Sequence, residues 1–253
     1  MGRYVIHLAY NGAAYFGWQI QPHQTTVQEV LTNALSILLK QDIEITGAGR
    51  TDTGVHARNY YAHFDLPYPI ENTDNLTFRL NSFLPKDIAV YRIFEVAPDF
   101  HARFSAVERT YKYYISTSKN PFNLAFSYRF FEPLNIDLMN EGCAILLNTK
   151  DFKSFSKVHT QVNNFNCEIY KAVWTKENDL LVFEISANRF LRNMVRSLVG
   201  TLIDLGRKKI NLDDFKAIIN AQNRTAAGTS VPAHALFLEN IGYYRNCRSK
   251  ASI

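Results

Sequence analysis

The chain has few cysteines, and they lie far apart. Three occur among 253 residues, at Cys143, Cys167 and Cys247. None belongs to a CxxC pair, so neither a disulfide framework nor a cysteine zinc cluster is expected. The seven histidines are also scattered, with His56 and His63 the nearest pair. We therefore expect no bound metal ion.

Long apolar runs are missing as well. No segment approaches the ~20 uninterrupted apolar residues that a membrane span needs. The first ten residues, MGRYVIHLAY, lack the basic region, apolar region and cleavage site of a signal peptide. Ile6 stands where an N-myristoylation signal requires Ser or Thr. These absences predict a cytoplasmic protein with no membrane attachment.

Several enzyme signatures are absent too. The sequence has no GxSxG elbow, no GxGxxG after a strand and no GxxxxGK[ST] phosphate loop. No cysteine has a neighbouring histidine, and no acidic pair stands out as a glycosidase couple. The α/β-hydrolase, dinucleotide-binding and P-loop classes are therefore disfavoured.

The composition is that of a soluble globular protein with enough material for a core. Hydrophobic residues make up 47% of the chain and charged residues 20%, with a net charge of +5. The 18 Phe and 14 Tyr exceed what is usual at this length. A basic, aromatic-rich chain is compatible with nucleobase stacking and a polyanionic partner, but does not require them.

Apolar periodicity predicts an α/β (α+β) protein whose second half repeats the element order of the first. Thr26 and Glu29 have the spacing of a capping box, and Asn211 caps a later helix. We predict two halves, residues 1–105 and 106–253, sharing a continuous core. The predicted strands are 3–10, 61–66, 88–96, 111–117, 168–175, 180–187 and 235–244. The predicted helices follow Thr26 and Asn211 or cover 76–84, 136–147 and 188–205.

The segment with the most unusual composition is 47–56, GAGRTDTGVH, between a helix and a strand. Its glycines allow sharp turns or close approach of a ligand. In an extended conformation Arg50 and Asp52 share one face, and the guanidinium would favour the ionised carboxylate. Such a carboxylate suits a nucleophile or base. The alternative is a surface loop in which the two side chains merely pair.

Two further segments carry basic or aromatic side chains that could bind an anion or a base. Arg189, Arg192 and Arg196 have the i, i+3, i+7 spacing of a stripe on the helix predicted over 188–205. Phosphate or carboxylate recognition and a solvated basic face both fit this stripe. Tyr111 alternates with Lys112 in a predicted strand, where it either stacks on a base or is half-buried.

Residues 47–57 resemble the signature of the TruA family of tRNA pseudouridine synthases. The resemblance continues in order along nearly the whole chain. Thr53 departs from it, since the family usually has Ala there, and so does Ala235, where Gly is common. The basic residue often found near 166–169 is missing too. The other matching segments are 15–21, 26–28, 80–88, 100–106, 109–113, 151–156, 190–196 and 199–200.

The resemblance implies an isomerase that converts uridine to pseudouridine at positions 38, 39 and 40 of the tRNA anticodon arm, with no cofactor and no metal. Asp52 matches the family's catalytic aspartate, which either attacks C1′ or abstracts the C2′ proton. Arg50 then pairs with Asp52 at rest and contacts the flipped nucleotide. Tyr111 stacks on the target base, and Arg196 holds Asp52 or a substrate phosphate. Arg189 and Arg192 remain RNA-backbone contacts or surface charges.

The resemblance also implies the architecture and the partners. Each half has a mixed, mostly antiparallel sheet with helices on one side, and the two sheets join into one continuous sheet with a central cleft. The first half carries the catalytic loop, and the second carries Tyr111 and the basic helix. Family members form homodimers that bind tRNA across both subunits.

Two alternative functions remain open: a catalytically idle RNA-binding module, and an enzyme of this family with another RNA substrate.

Overall fold

The computed structural model describes residues 2–158 and 164–244. Cys247 lies outside these ranges. Within them the chain forms a mixed α/β fold with nine strands, mostly antiparallel, and five α-helices. The chain divides into two compact units, one comprising residues up to Val107 and from Leu238 onward, the other Glu108–Phe237.

The first unit is built on a sheet with the strand order β4-β1-β3-β9. β1 is antiparallel to both β3 and β4, and the two-residue strand β2 pairs antiparallel with β3 where the segment 47–56 begins. Helix α2 packs on β4, and α1 packs on α2. The elements are β1 (Gly2–Tyr10), α1 (Val27–Leu39), β2 (Thr46–Gly47), β3 (His56–Leu66), α2 (Thr73–Phe83), β4 (Ile88–Val96) and β9 (Leu236–Tyr243).

The second unit has antiparallel strands in the order β5-β8-β7, with β6 parallel to β5. Helix α3 packs against β7 and α4, and α5 packs against α3 and α4. Most side chains of α4 are buried, including Met194, Leu198 and Leu202, so this helix lies in the core of the second unit. The elements are β5 (Ala106–Ser116), β6 (Tyr128–Arg129), α3 (Ile136–Leu147), β7 (Ile169–Glu177), β8 (Leu180–Ala187), α4 (Met194–Gly206) and α5 (Leu212–Asn220).

The predicted helix caps and several predicted element bounds, which depend on residues close together in the sequence, are confirmed. The Thr26 hydroxyl accepts the Glu29 N–H while the Glu29 carboxylate accepts the Thr26 N–H, so α1 starts with the predicted capping box. Asn211 caps α5 in the same way. The bounds predicted for β4, α3 and β8 are those observed.

Several predicted boundaries are wrong. β3 begins at His56 and not at 61, and β5 begins at Ala106 and not at 111. Helix α4 begins at Met194, not near residue 188, because Asn193 is in the left-handed region with φ 66° and residues 188–193 form a non-helical loop. The closing strand belongs mostly to the first unit, although it lies in the sequence half predicted as C-terminal. Strands return to distant partners for reasons of sheet pairing, which local periodicity does not encode.

In the part of the chain that the structure describes, no helix is both long and apolar enough to cross a bilayer.

Candidate active site

The loop that carries Asp52 leaves the sheet through β2 and is held by an aromatic pair. β2 pairs with β3, with Gly47 opposite Ala62. Trp18 and Tyr60 lie beside this strand with ring centroids 4.1 Å apart. A Cβ on Gly47 would lie 2.3 Å from Trp18 Nε1, so only glycine allows the rings this close. The aromatic pair therefore fixes where the loop begins.

The buried hydroxyl of Tyr60 then fixes the next turn of the loop. It donates a hydrogen bond to the Gly49 carbonyl and accepts one from the Gly49 N–H at 3.3 Å. The Ala48 N–H donates to the Tyr61 carbonyl at 2.9 Å. These bonds satisfy the backbone of residues 48 and 49, which lie in a bend outside any strand.

Thr51, the residue before Asp52, is anchored on both its side chain and its backbone. Its hydroxyl is 2.8 Å from the Tyr10 hydroxyl, and its carbonyl accepts from the Trp18 N–H at 3.3 Å. Gly17 packs directly against it: φ at Gly17 is +88°, and a Cβ there would lie 2.3 Å from the Thr51 oxygen. Segment 15–18 therefore clamps the backbone next to Asp52.

Asp52 itself is half-buried, and the turn after it is closed by backbone bonds. Its carbonyl accepts from the Val55 N–H at 3.1 Å, and the Gly54 N–H donates to the Tyr15 carbonyl at 3.3 Å. Gly54 has φ +79°, a conformation that favours glycine. A carboxylate on a loop held at both ends is preorganised for chemistry.

Arg50 does not make the predicted ion pair with Asp52. Its side chain is exposed, and its Nε donates to Gln19 Oε1 at 3.0 Å. In the structure Thr51 is anchored inward between them, and Arg50 is directed to the polar surface at Gln19. Sequence reasoning missed Gln19, although it lies within a segment that resembles the family.

His56 and His63 are buried and serve as backbone acceptors. The Gly12 N–H donates to His56 Nδ1 at 3.0 Å, and the Ala102 N–H donates to His63 Nδ1 at 3.2 Å. Across residues 2–158 and 164–244, no three His, Cys, Asp or Glu side chains gather into a possible metal site. The nearest histidine pair of the sequence thus has a structural use.

Tyr111 lies on β5 in the second unit, opposite Ile185 of β8. Its ring is half-buried and meets Phe190 edge-to-face, with centroids 5.2 Å apart and planes at 90°. Tyr113 is different, because its buried hydroxyl donates to the Pro232 carbonyl at 3.0 Å and burial raises its pKa. The Tyr111 ring therefore packs against Phe190, and its hydroxyl is not the buried one that bonds to Pro232.

Arg196 is the one member of the predicted arginine stripe that lies on α4. Its Nε donates to the Val231 carbonyl at 2.7 Å, and its own carbonyl accepts from the Val231 N–H at 3.2 Å. Arg189 and Arg192 precede the helix, so the i, i+3, i+7 stripe is not formed. The left-handed Asn193, whose amide donates to Ser230 Oγ at 2.6 Å, is the reason.

The comparison with known protein families decides the class of the protein. The family model described as tRNA pseudouridine synthase matches residues 6–105 and 143–244, and so includes Arg50, Asp52 and Arg196. The chain belongs to the tRNA pseudouridine synthase family. This family isomerises uridine to pseudouridine in tRNA, and the chain is accordingly an isomerase acting on tRNA.

Curated relatives in this family are similar along almost the whole chain. Three are each named tRNA pseudouridine synthase A. The chain is 52% identical over 243 residues to the protein of Parabacteroides distasonis, covering 96% of each chain. It is 52% identical over 242 residues to that of Bacteroides fragilis, covering 95% of this chain and 96% of the relative. It is 42% identical over 244 residues to that of Bacillus subtilis, covering 94% and 98%.

Proposed function

We propose that Asp52 is the catalytic carboxylate of this tRNA pseudouridine synthase and that the enzyme acts on uridines 38, 39 and 40 of the anticodon arm. The observation that carries the proposal is the fixed loop around Asp52. Thr51 is bonded through its hydroxyl and its carbonyl, and Gly54 closes the turn on the other side. The backbone on both sides of the carboxylate is thus fixed, in a chain of this family.

The reaction needs one carboxylate and rearranges the bonds within a single nucleotide. The N1–C1′ bond breaks, the uracil turns, and C5 joins C1′ while the C5 hydrogen is lost as a proton and N1 gains one. Asp52 either attacks C1′, as a retaining glycosidase nucleophile does, or abstracts the C2′ proton. Both routes require an ionised Asp52 beside the sugar.

We assign Arg50 to the flipped nucleotide. Uridine within the stacked anticodon arm must leave the stack before chemistry. The Arg50 side chain donates one hydrogen bond among the described residues, from Nε to Gln19 Oε1, and both of its Nη groups stay available. That fork suits a phosphate oxygen pair. In the resting enzyme Gln19 then orients the guanidinium, whereas the sequence predicted that Asp52 would do so.

Tyr111 and Arg196 complete the proposed site from the second unit. The Tyr111 ring, supported at its edge by Phe190, is proposed to stack on the target base. The Arg196 guanidinium, oriented by its bond to the Val231 carbonyl, is proposed to hold Asp52 or a substrate phosphate.

This assignment includes the arrangement of the whole molecule. We propose two similar halves whose strands form one continuous sheet, with the active site in a central cleft that brings Asp52 to Tyr111 and Arg196. We also propose a cytoplasmic homodimer that binds tRNA across both subunits. Its mass in sedimentation equilibrium would be twice 29.1 kDa, whereas a monomer mass would contradict the dimer.

Tritium release from tRNA carrying 5-³H-uridine tests the chemistry directly, because isomerisation expels the C5 hydrogen. We expect release by the wild type, and none by Asp52→Asn, which keeps the side-chain shape but removes the charge. Asp42→Asn is the control, since Asp42 is an exposed carboxylate of the same unit. Release by Asp52→Asn at the wild-type rate would remove Asp52 from the mechanism. No release by a wild type that still binds tRNA would favour the idle RNA-binding module.

The target positions need a separate test. Transcripts in which uridine 38, 39 or 40 is singly replaced by cytidine should each lose release from that position alone. Unchanged release from a transcript lacking all three uridines would assign the enzyme to another RNA site.

A further inference from the structure

A pocket in the second unit is lined by basic side chains that the proposed chemistry does not use. Its volume is about 240 Å³. It lies where the short 3₁₀ turn Lys153–Phe155 meets the 3₁₀ turn Arg224–Ala226. The lining residues that matter are Lys153, Ser156, Lys157, Phe165, Asn223 and Arg224.

The three cations of this pocket have no carboxylate partner. In the described ranges, 2–158 and 164–244, neither Lys153, Lys157 nor Arg224 makes an ion pair. The acidic side chain beside the pocket is Asp151, and its two oxygens are occupied by other groups. Oδ1 accepts from the Lys153 N–H at 2.8 Å, and Oδ2 accepts from the Gln222 amide at 3.0 Å. The pocket therefore has three cationic side chains against one neighbouring carboxylate, which leaves its net charge positive.

The Arg224 side chain is held in place entirely by neutral groups. Its Nη1 donates to the carbonyls of Ala227 and Gly228 at 3.3 and 3.2 Å, and its Nη2 donates to Ser230 Oγ at 2.8 Å. Partial burial lowers the pKa of the guanidinium. A partly desolvated cation that lacks an ion-pair partner is stabilised when an anion binds next to it.

The floor of the pocket is rigid, and one wall is aromatic. The buried Ser154 hydroxyl donates to the Ile218 carbonyl at 2.7 Å and accepts from the Asn223 N–H at 3.1 Å, which joins the two turns. The Lys153 ammonium lies 5.6 Å from the centre of the Phe165 ring. The Lys153 ammonium thus lies against an aromatic ring, beside two turns that a buried hydroxyl joins.

We propose that this pocket binds a backbone phosphate of the tRNA, and so fixes the position of the RNA on the second unit. The inference rests on the proposed function for the identity of the RNA. A volume of about 240 Å³ is below the ~300 Å³ at which small-molecule sites begin, so it accommodates a phosphate group and not a whole nucleotide. Lysine and arginine contacts to phosphate position a nucleic acid without reading its sequence.

The double variant Lys153→Gln, Lys157→Gln tests the pocket, because glutamine keeps much of the side-chain stem and removes the charge. Lys176→Gln is the matched control, since Lys176 is an exposed lysine on β7 of the same unit that makes no ion pair among the described residues. We expect the tRNA dissociation constant of the double variant to rise about tenfold at ~0.1 M salt, and the log–log salt slope to fall by about one, the value for a single phosphate contact. Lys176→Gln should bind like the wild type. Release of tritium at saturating tRNA should stay at the wild-type rate.

The double variant Lys153→Arg, Lys157→Arg should restore both affinity and salt slope, because it restores the charges. Wild-type affinity and slope in the glutamine variant would overturn the proposal, as would equal losses in the arginine variant. Binding of inorganic phosphate to the wild type but not to the glutamine variant, with tRNA affinity unchanged, would assign the pocket to a free anion and also overturn it. A wild type that releases no tritium would refute the proposed function alone, because the salt slopes would still report the phosphate contact.

Discussion

At the scale of single residues, the loop of Asp52 depends on one hydroxyl group that the loop sequence does not contain. Tyr60 lies on β3, and its buried hydroxyl both donates to and accepts from the backbone of Gly49. Its ring also packs against Trp18 at the start of the loop. Removing the hydroxyl leaves a carbonyl without its bond while the ring packing remains.

Tyr60→Phe should therefore lower both stability and turnover. We expect the free energy of unfolding to fall by about 1–2 kcal/mol, as for other hydrogen bonds to groups left buried. We expect the rate of tritium release at saturating tRNA to fall about tenfold or more, because a loosened loop misplaces the carboxylate. Urea unfolding and single-turnover release measure the two effects.

Tyr4→Phe is the control for this change. The Tyr4 hydroxyl is also buried and accepts from the Ile70 N–H at 2.9 Å, but it has no contact with the loop. A similar loss of stability with normal turnover is expected. If Tyr60→Phe and Tyr4→Phe lowered turnover equally, Tyr60 would act only through overall stability.

At the scale of elements, the start of α4 is set by a single left-handed residue. Asn193 has φ 66° and its amide donates to Ser230 Oγ at 2.6 Å. The apolar periodicity of the sequence continues on both sides of it, which is why a longer helix was predicted. The interruption leaves Arg189 and Arg192 in a loop and Arg196 in the first turn of the helix.

Asn193→Ala and Asn193→Gly separate the two effects of this residue. Both variants lose the bond to Ser230, but only alanine also has to adopt the left-handed conformation, at a cost of ~1–2 kcal/mol. Glycine has its own entropic cost of folding, which offsets part of this difference. We therefore expect Asn193→Ala to lower the free energy of unfolding, measured with urea, by about 1 kcal/mol more than Asn193→Gly does. Equal losses would mean that the hydrogen bond, and not φ, dominates.

At the scale of the whole molecule, stability depends on pH through histidines in the first unit. Burial lowers the pKa of His63 to about 4, with the nearby positive charges of Arg3 and His101 adding to the effect. Burial also lowers the pKa of His101. A neutral His63 is needed in the fold, since its Nδ1 accepts the Ala102 N–H.

The free energy of unfolding should therefore fall as the pH drops from about 6.5 to about 4. In this window the unfolded chain binds a proton that the folded chain excludes, and above it the stabilisation is fully present. His63→Asn, which cannot titrate and retains an oxygen acceptor, should reduce the slope, with the remainder due to His101 and to His7, whose pKa burial also lowers. His23→Asn is the control, because His23 is exposed. An unchanged slope in His63→Asn would show that His63 does not contribute to it.

What the sequence determined by itself was mostly local. The capping boxes of α1 and α5, the bounds of β4, α3 and β8, and the turn between β7 and β8 follow from periodicity and from groups a few residues apart. The segment 47–57 also identified the family before any geometry, because its match requires only residue order.

Only the tertiary structure decided which distant groups meet. Arg50 bonds to Gln19, which lies 31 residues away, and not to its near neighbour Asp52. Asn193 ends a periodic pattern because Ser230, 37 residues on, accepts its amide. Tyr60 holds Gly49 from a neighbouring strand. Such bonds form when packing brings separate segments together. The conformational entropy lost on closing the intervening chain is offset by contacts throughout the fold, which the local sequence does not specify.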